Sequence, residues 1–279
     1  NKDFYTEWTK ITELFYTLQD WYNDYELYHL IGYQLAVSVK NKIKTIYKSQ
    51  QTKNKNEFKD FLKKEIQDSD TVKHFGDYGY GSGLVKNVLL LFNIKTHIKT
   101  STENNFNRFP FKSYKLNKWS IEHIHAQNSE GLKSKEQWKE WLLDAVSGLK
   151  KFEVKEDIVP LIKEIEAVNN DDLTKERFKE LFDKVLEITS EKDSNEIHEI
   201  SNLTLLDGST NSSISNGIFA SKREMILYVE KNQAFIPICT KNVFLKYYTK
   251  DPKQFYFWSK EDKEAYLKAI EEMITAKTD

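Results

Sequence analysis

The chain has 279 residues, enough for one or two domains. Its 42 Lys and Arg nearly balance 43 Asp and Glu, a net charge of −1, so bulk charge argues neither for nor against a nucleic-acid partner. Aromatic residues at 14% exclude a solvated, disordered chain; the longest apolar run, residues 88–92, is too short to cross a membrane; the single Cys239 excludes an internal disulfide or Cys-rich zinc site and suits a reducing cytosol.

The chain starts Asn1-Lys2-Asp3, with no basic-then-apolar leader and no Met, so we expect further sequence upstream. Phe4, Trp8, Ile11, Phe15, Leu18 and Tyr22 recur at intervals of three and four, which predicts a helix with one apolar stripe. Residues 30–46 and 58–66 continue a helical bundle, and the polar run 48–56 reads as an exposed loop. Four of the nine glycines fall in residues 76–83; with no Lys-Ser/Thr ending they read as a turn before a helix around 84–92 rather than as a phosphate loop. Residues 101–118 are polar and aromatic, and alternation over 119–124 predicts a strand. About 70 charged residues, 128–197, are helical in pattern, with Ser134 and Gln137 as a capping box before Trp138. Residues 203–206 predict a second strand closed by a turn at Asp207-Gly208, followed by a helix that begins within 211–219 and runs past Met225. Ser259, with Asp262 three residues on, opens a last helix. These elements divide the chain into a helical region 1–100, a core 101–258 with its helical insertion, and a C-terminal helix 259–279.

Chemistry concentrates in two places. His29 reads as a hydrogen-bonded core residue, and His74 and His97 have no polar constellation around them. By contrast Glu122-His123-Ile124-His125 puts a carboxylate and two imidazoles into a predicted strand, where such groups are unusual. An imidazole with a pKa near 6.5 takes a proton from water at neutral pH, and a carboxylate suits Mg²⁺ or Mn²⁺. His123 and His125 share a period-two face, so they also read as a two-His metal pair. The second segment runs from His198 to Arg223 and carries Asn202 just before one strand and Asn211 at the following helix. Acid-His, strand, Asn, strand, then Asn on a helix is the skeleton of an HNH, or ββα-metal (His-Me finger), nuclease site. The nine-residue step from Asn202 to Asn211 suits it, and the 78 residues between His123 and Asn202 require a helical insertion between the two strands.

On these motifs the chain resembles the C-terminal nuclease domain of GmrSD-type modification-dependent restriction endonucleases. Residues 21–33, 109–114 and 235–248 extend the likeness, which is strongest over 100–250. Ala126 departs from the family, where a proline often stands; that proline shapes a turn and holds no ligand. The resemblance implies a mainly α protein with a small β-hairpin, a helical bundle around an HNH core, and metal-dependent hydrolysis of DNA phosphodiesters. His123 is then the general base and Asn202 its positioning partner. Glu122 and Asn211 hold one divalent ion, Mg²⁺ or Mn²⁺. Lys222, Arg223 and Arg108 meet phosphate, with His125 and His198 as secondary candidates. It also implies an upstream ParB-like nucleotide-hydrolysing domain or subunit outside this chain, and a role in the bacterial cytoplasm against phage DNA, modified DNA included. The alternative is an inactive ββα scaffold that binds DNA or a partner.

Overall fold

The structure is a computed structural model that describes residues 3–38, 41–75, 82–102, 107–125, 132–150, 158–169, 171–188, 199–214, 218–252, 255 and 257–276; for 212–214 it describes the backbone alone. Among the described residues seven helices precede the first strand: α1 (Phe4–Asn23), α2 (Tyr25–Val37), α3 (Lys42–Gln50), α4 (Lys55–Gln67), α5 (Asp70–Lys73), α6 (Gly83–Thr100) and α7 (Phe111–Leu116). Capping chemistry sets their boundaries. Asp24 breaks α1 from α2 by taking an extended backbone and accepting the Leu27 N–H at 3.0 Å. Asn54 and Glu57 cap α4 reciprocally, so the predicted polar loop at 48–56 shrinks to the few residues between α3 and α4. The stretch 30–46, expected to continue the helical bundle, contributes to both α2 and α3.

The apolar run at 88–92 explains the architecture. It lies in α6, whose residues 88–92 are all buried, and α2, α5, α13 and α14 pack around it. The last two are α13 (Ile238–Phe244) and α14 (Lys260–Thr275). The expected cap of α14 is present: Ser259 and Asp262 exchange hydrogen bonds, and Asp262 also accepts from Lys246 Nζ at 2.6 Å and from Thr249. Lys246 and Asp262 are both buried, and the ammonium is further satisfied by the Phe257 carbonyl at 2.6 Å.

Only two strands occur among the described residues, β1 (Ser120–His123) and β2 (Leu203–Leu206). They pair antiparallel, with Ser120 opposite Leu206, Glu122 opposite Thr204 and His123 opposite Leu203. Between them in sequence lie α8 (Lys135–Lys150), α9 (Ile158–Glu166) and α10 (Lys175–Ile188). These bury Trp138, Trp141, Phe178 and Phe182 in an apolar cluster of their own, joined by Ile218 and Phe257 from the rest of the chain. The Ser134–Gln137 capping box opens α8 as expected.

After β2 the structure departs from the sequence reading. The helix expected to begin within 211–219 and run past Met225 is α12 (Phe219–Lys231), but an unexpected short helix, α11 (Gly208–Ile214), comes before it. Asp207, read as part of a turn, caps α11: its Oδ1 accepts the Ser209 and Thr210 N–H groups at 3.0 and 3.2 Å. Gly208 lies at a close approach, where a Cβ would sit 3.1 Å from the Lys118 carbonyl oxygen, tighter than an ordinary contact.

A second departure is at α1. The helix forms as predicted, but its stripe does not enter the core. Phe4 is 80% exposed, and Trp8, Ile11, Phe15 and Tyr22 are 58–61% exposed. Trp21 alone on this helix is buried; it stacks on Phe58 and donates from Nε1 to Gln50.

Candidate active site

Strand β1 is short, and its polar content follows from what receives each side chain. Alternation puts Ser120 and Glu122 on one face. Ser120 Oγ accepts from Asn211 Nδ2 at 2.7 Å, which ties α11 to the strand. The other amide atom, Asn211 Oδ1, is buried and has no hydrogen-bond partner among the described residues. Glu122 Oε1 accepts from Lys222 Nζ at 2.5 Å, and the same ammonium donates to the His123 carbonyl at 2.7 Å. Lys222 thus joins α12 to the strand across the chain's two motifs. Its side chain is 1% exposed and that of Glu122 is 15% exposed.

Burial pushes Glu122 above the usual carboxylate range and Lys222 below the usual ammonium range, while their mutual attraction and hydrogen bond oppose both shifts. Each group thus offsets the burial cost of the other. Glu122 Oε2 makes no hydrogen bond within the described residues, so one carboxylate oxygen stays available.

His123 ends β1 and is buried, 8% exposed. Beyond it the backbone is held from the second motif. Asn202 accepts the Ile124 N–H with its carbonyl at 2.8 Å and the His125 N–H with its side-chain oxygen at 3.1 Å. Asn202 is itself 1% exposed and lies in a 3-10 turn just ahead of β2. That turn is anchored from the C-terminal side: Trp258 Nε1 donates to the Ser201 carbonyl at 3.0 Å, and the Tyr266 hydroxyl donates to the Leu203 carbonyl at 3.1 Å. Opposite Glu122, Thr204 shares a 2.8 Å hydroxyl contact with Thr240, which donates on to the Leu205 carbonyl.

The structure therefore joins Glu122 to Lys222, Asn202 to the backbone at His125, and Asn211 to Ser120. His125 is buried just past the strand. Among the described residues no three His, Cys, Asp or Glu side chains gather as a metal cluster, so His123 and His125 form no such group with a third side chain. His198 lies outside the described residues. The basic residues are placed differently from expectation. Lys222, expected to meet phosphate, has its ammonium buried on Glu122, because an unpaired carboxylate at that depth is costly. Arg223 donates to the Phe244 carbonyl at 3.0 Å and lies over Phe255. Arg108 donates to the Asn23 carbonyl at 3.2 Å and stacks over Tyr22 and Tyr28, so its contacts are with α1 and α2 rather than with the hairpin.

Sequence reasoning passed over Ser120 and Thr204. Their signal was faint but present: each shares a strand face, or a register position, with a functional residue.

The fold and these contacts define a polar centre on a minimal β-hairpin, completed by a helix and enclosed by helices. Residues 167–270 match the family model of the GmrSD restriction endonucleases, C-terminal domain, so the resemblance holds over that segment. The match includes Asn202, Asn211, Lys222 and Arg223 and begins after Glu122 and His123, and so is narrower than the expected 100–250. No curated protein and no solved structure matches the chain. No helix among the described residues is long and apolar enough to cross a membrane.

Proposed function

We propose that the chain is a metal-dependent DNA endonuclease of HNH type, working as the nuclease part of a modification-dependent restriction enzyme. One observation carries this: an acid-His strand pairs with the strand that follows Asn202, and the next helix returns Asn211 to the first strand. The segment holding the second half of that arrangement is similar to a restriction-endonuclease domain.

The residues fit a hard, oxygen-ligated ion in kind. Among the described residues, Glu122 Oε2 and the buried Asn211 Oδ1 each lack a hydrogen-bond donor, so both can offer oxygen. Such an ion, when bound, neutralises charge on the phosphate and on the leaving 3′ oxygen. The chain's own residues supply the rest. His123 accepts a proton from the attacking water at an imidazole nitrogen. Asn202 fixes the backbone just beyond His123 and so the direction from which the ring approaches. Lys222 keeps Glu122 ionised and aligned rather than meeting phosphate. Under this reading the substrate is DNA, phage DNA in a bacterial cytoplasm, with modification sensing assigned to a ParB-like nucleotide-hydrolysing domain or subunit outside this chain.

The buried ammonium on Glu122 also suits a second reading, an inactive ββα scaffold that binds DNA or a partner. Supercoiled plasmid incubated with Mn²⁺ separates the two. Nicked or linear product with 5′-phosphate and 3′-hydroxyl ends, lost with EDTA, supports the nuclease. DNA binding without cleavage under Mg²⁺ or Mn²⁺ supports the scaffold.

A further inference from the structure

We infer that α1 is a self-association element: two copies of the chain pair through antiparallel α1 helices about a two-fold axis near Glu13. Phe4, Trp8, Ile11, Phe15, Leu18 and Tyr22 follow a 4-3-4-3-4 spacing along nearly all of α1, about 27 Å of helix. That is the spacing of a two-helix seam. All six are 39–80% exposed, with Tyr5, Leu14 and Tyr16 exposed beside them. Soluble chains rarely leave so long an apolar stripe in water. Within one chain the stripe is engaged only near its C-terminal end, where Tyr22 meets Arg108 and the Tyr28 ring and the helix is anchored by Trp21 and the Asp20–Lys55 pair; Phe4, Trp8, Ile11 and Phe15 stay largely in water.

The occupant is set by the symmetry of the stripe. Reversed end for end, the spacing maps onto itself. Phe4 then faces the second copy's Tyr22, Trp8 faces its Leu18, and Ile11 faces its Phe15, so most layers match a large ring with a smaller or aliphatic partner. No charge is buried: Glu7 and Lys10 pair with each other at 3.3 Å, Asp20 pairs with Lys55, and Glu13 lies off the seam. Antiparallel helices also oppose their dipoles favourably. The area suffices. Four exposed aromatic rings at roughly 100–150 Å² each, with Ile11 and Leu18, give about 700 Å² per chain, close to the roughly 800 Å² per partner of a stable interface.

Light scattering on the 279-residue chain tests this. The expected mass is twice 33.0 kDa. Trp8→Glu with Phe15→Glu should leave the circular-dichroism spectrum unchanged, since both side chains are exposed, and should raise the dimer dissociation constant on the order of 100-fold or more. Orientation is read with a short bismaleimide. Trp8→Cys combined with Leu18→Cys should cross-link between chains, since they face each other, and either alone should not, since each then lies about 15 Å along the axis from its own mate; Cys239 is buried. A wild-type monomer at every concentration reached overturns the proposal. So does a dimer that survives the two glutamates, and efficient cross-linking by Trp8→Cys alone overturns the antiparallel pairing. None of these outcomes depends on DNA cleavage.

Discussion

Lys222→Met takes the ammonium away and leaves Glu122 beside an apolar chain of similar length. Two hydrogen bonds go with it, one to Glu122 Oε1 and one to the His123 carbonyl. Leaving a buried acceptor unpaired costs about 1–3 kcal/mol, and breaking a buried ion pair from one side costs about 3–5 kcal/mol. Glu122 keeps 15% side-chain exposure, which lets water or a proton recover part of that, so a loss of about 3 kcal/mol is expected. Urea unfolding followed by tryptophan fluorescence reads it directly. Glu122→Gln added to Lys222→Met removes the uncompensated charge, and the double variant should regain at least about 1 kcal/mol over Lys222→Met alone. A loss below about 1 kcal/mol, or a double-mutant cycle with no coupling, refutes the view that this pair clamps α12 to β1.

Three further outcomes follow from the contacts. His29 is fully buried between the Tyr25 carbonyl and the Phe109 N–H, and burial pushes its pKa down to about 4. The native state therefore resists protonation that the unfolded chain accepts: stability is intact above pH about 6.5 and falls as pH drops toward 4, by at most about 3 kcal/mol, a slope that His29→Gln should flatten in acid unfolding. Asp207→Ala removes the α11 cap and should lower stability by about 1–2 kcal/mol near neutral pH. The hydrogen bonds of that cap hold Asp207 below the usual carboxylate range, so its contribution persists above the ordinary value near 4, fades as pH falls through the lower native value, and urea midpoints of the two proteins should converge there. His123→Ala should cut plasmid cleavage by about 10²–10⁴-fold with DNA affinity retained in a filter-binding assay; unchanged cleavage would remove His123 as the base.

Much of this was legible in the residues. Leu203–Leu206 is a strand because three leucines and the β-branched Thr204 are bounded by Asn202 and Asp207, and all four are buried. Ser259 with Asp262 marked the start of α14, since the cap is local chemistry within four residues. What could not be read was set at long range. Asp207-Gly208 has the composition of a turn, and only the approach of the Asn117 and Lys118 backbone shows why a capped helix starts there instead. Lys222 looked like a phosphate ligand because a lysine near a nuclease motif is ordinarily exposed. Its burial depends on a carboxylate 100 positions away in sequence. The apolar stripe of α1 correctly gave a helix, yet periodicity tells which face is apolar and not which molecule covers it.

Under the proposed function Glu122 and Asn211 form one oxygen-ligated centre, and calorimetric titration of Mn²⁺ measures that most directly. With one carboxylate, already shared with Lys222, and one neutral amide, the chain alone should bind Mn²⁺ weakly, and a DNA duplex should tighten the binding by adding phosphate oxygen. Glu122→Ala and Asn211→Ala should each abolish the DNA-dependent gain. Tight Mn²⁺ binding by the free chain that survives both substitutions would put the ion elsewhere and contradict the site.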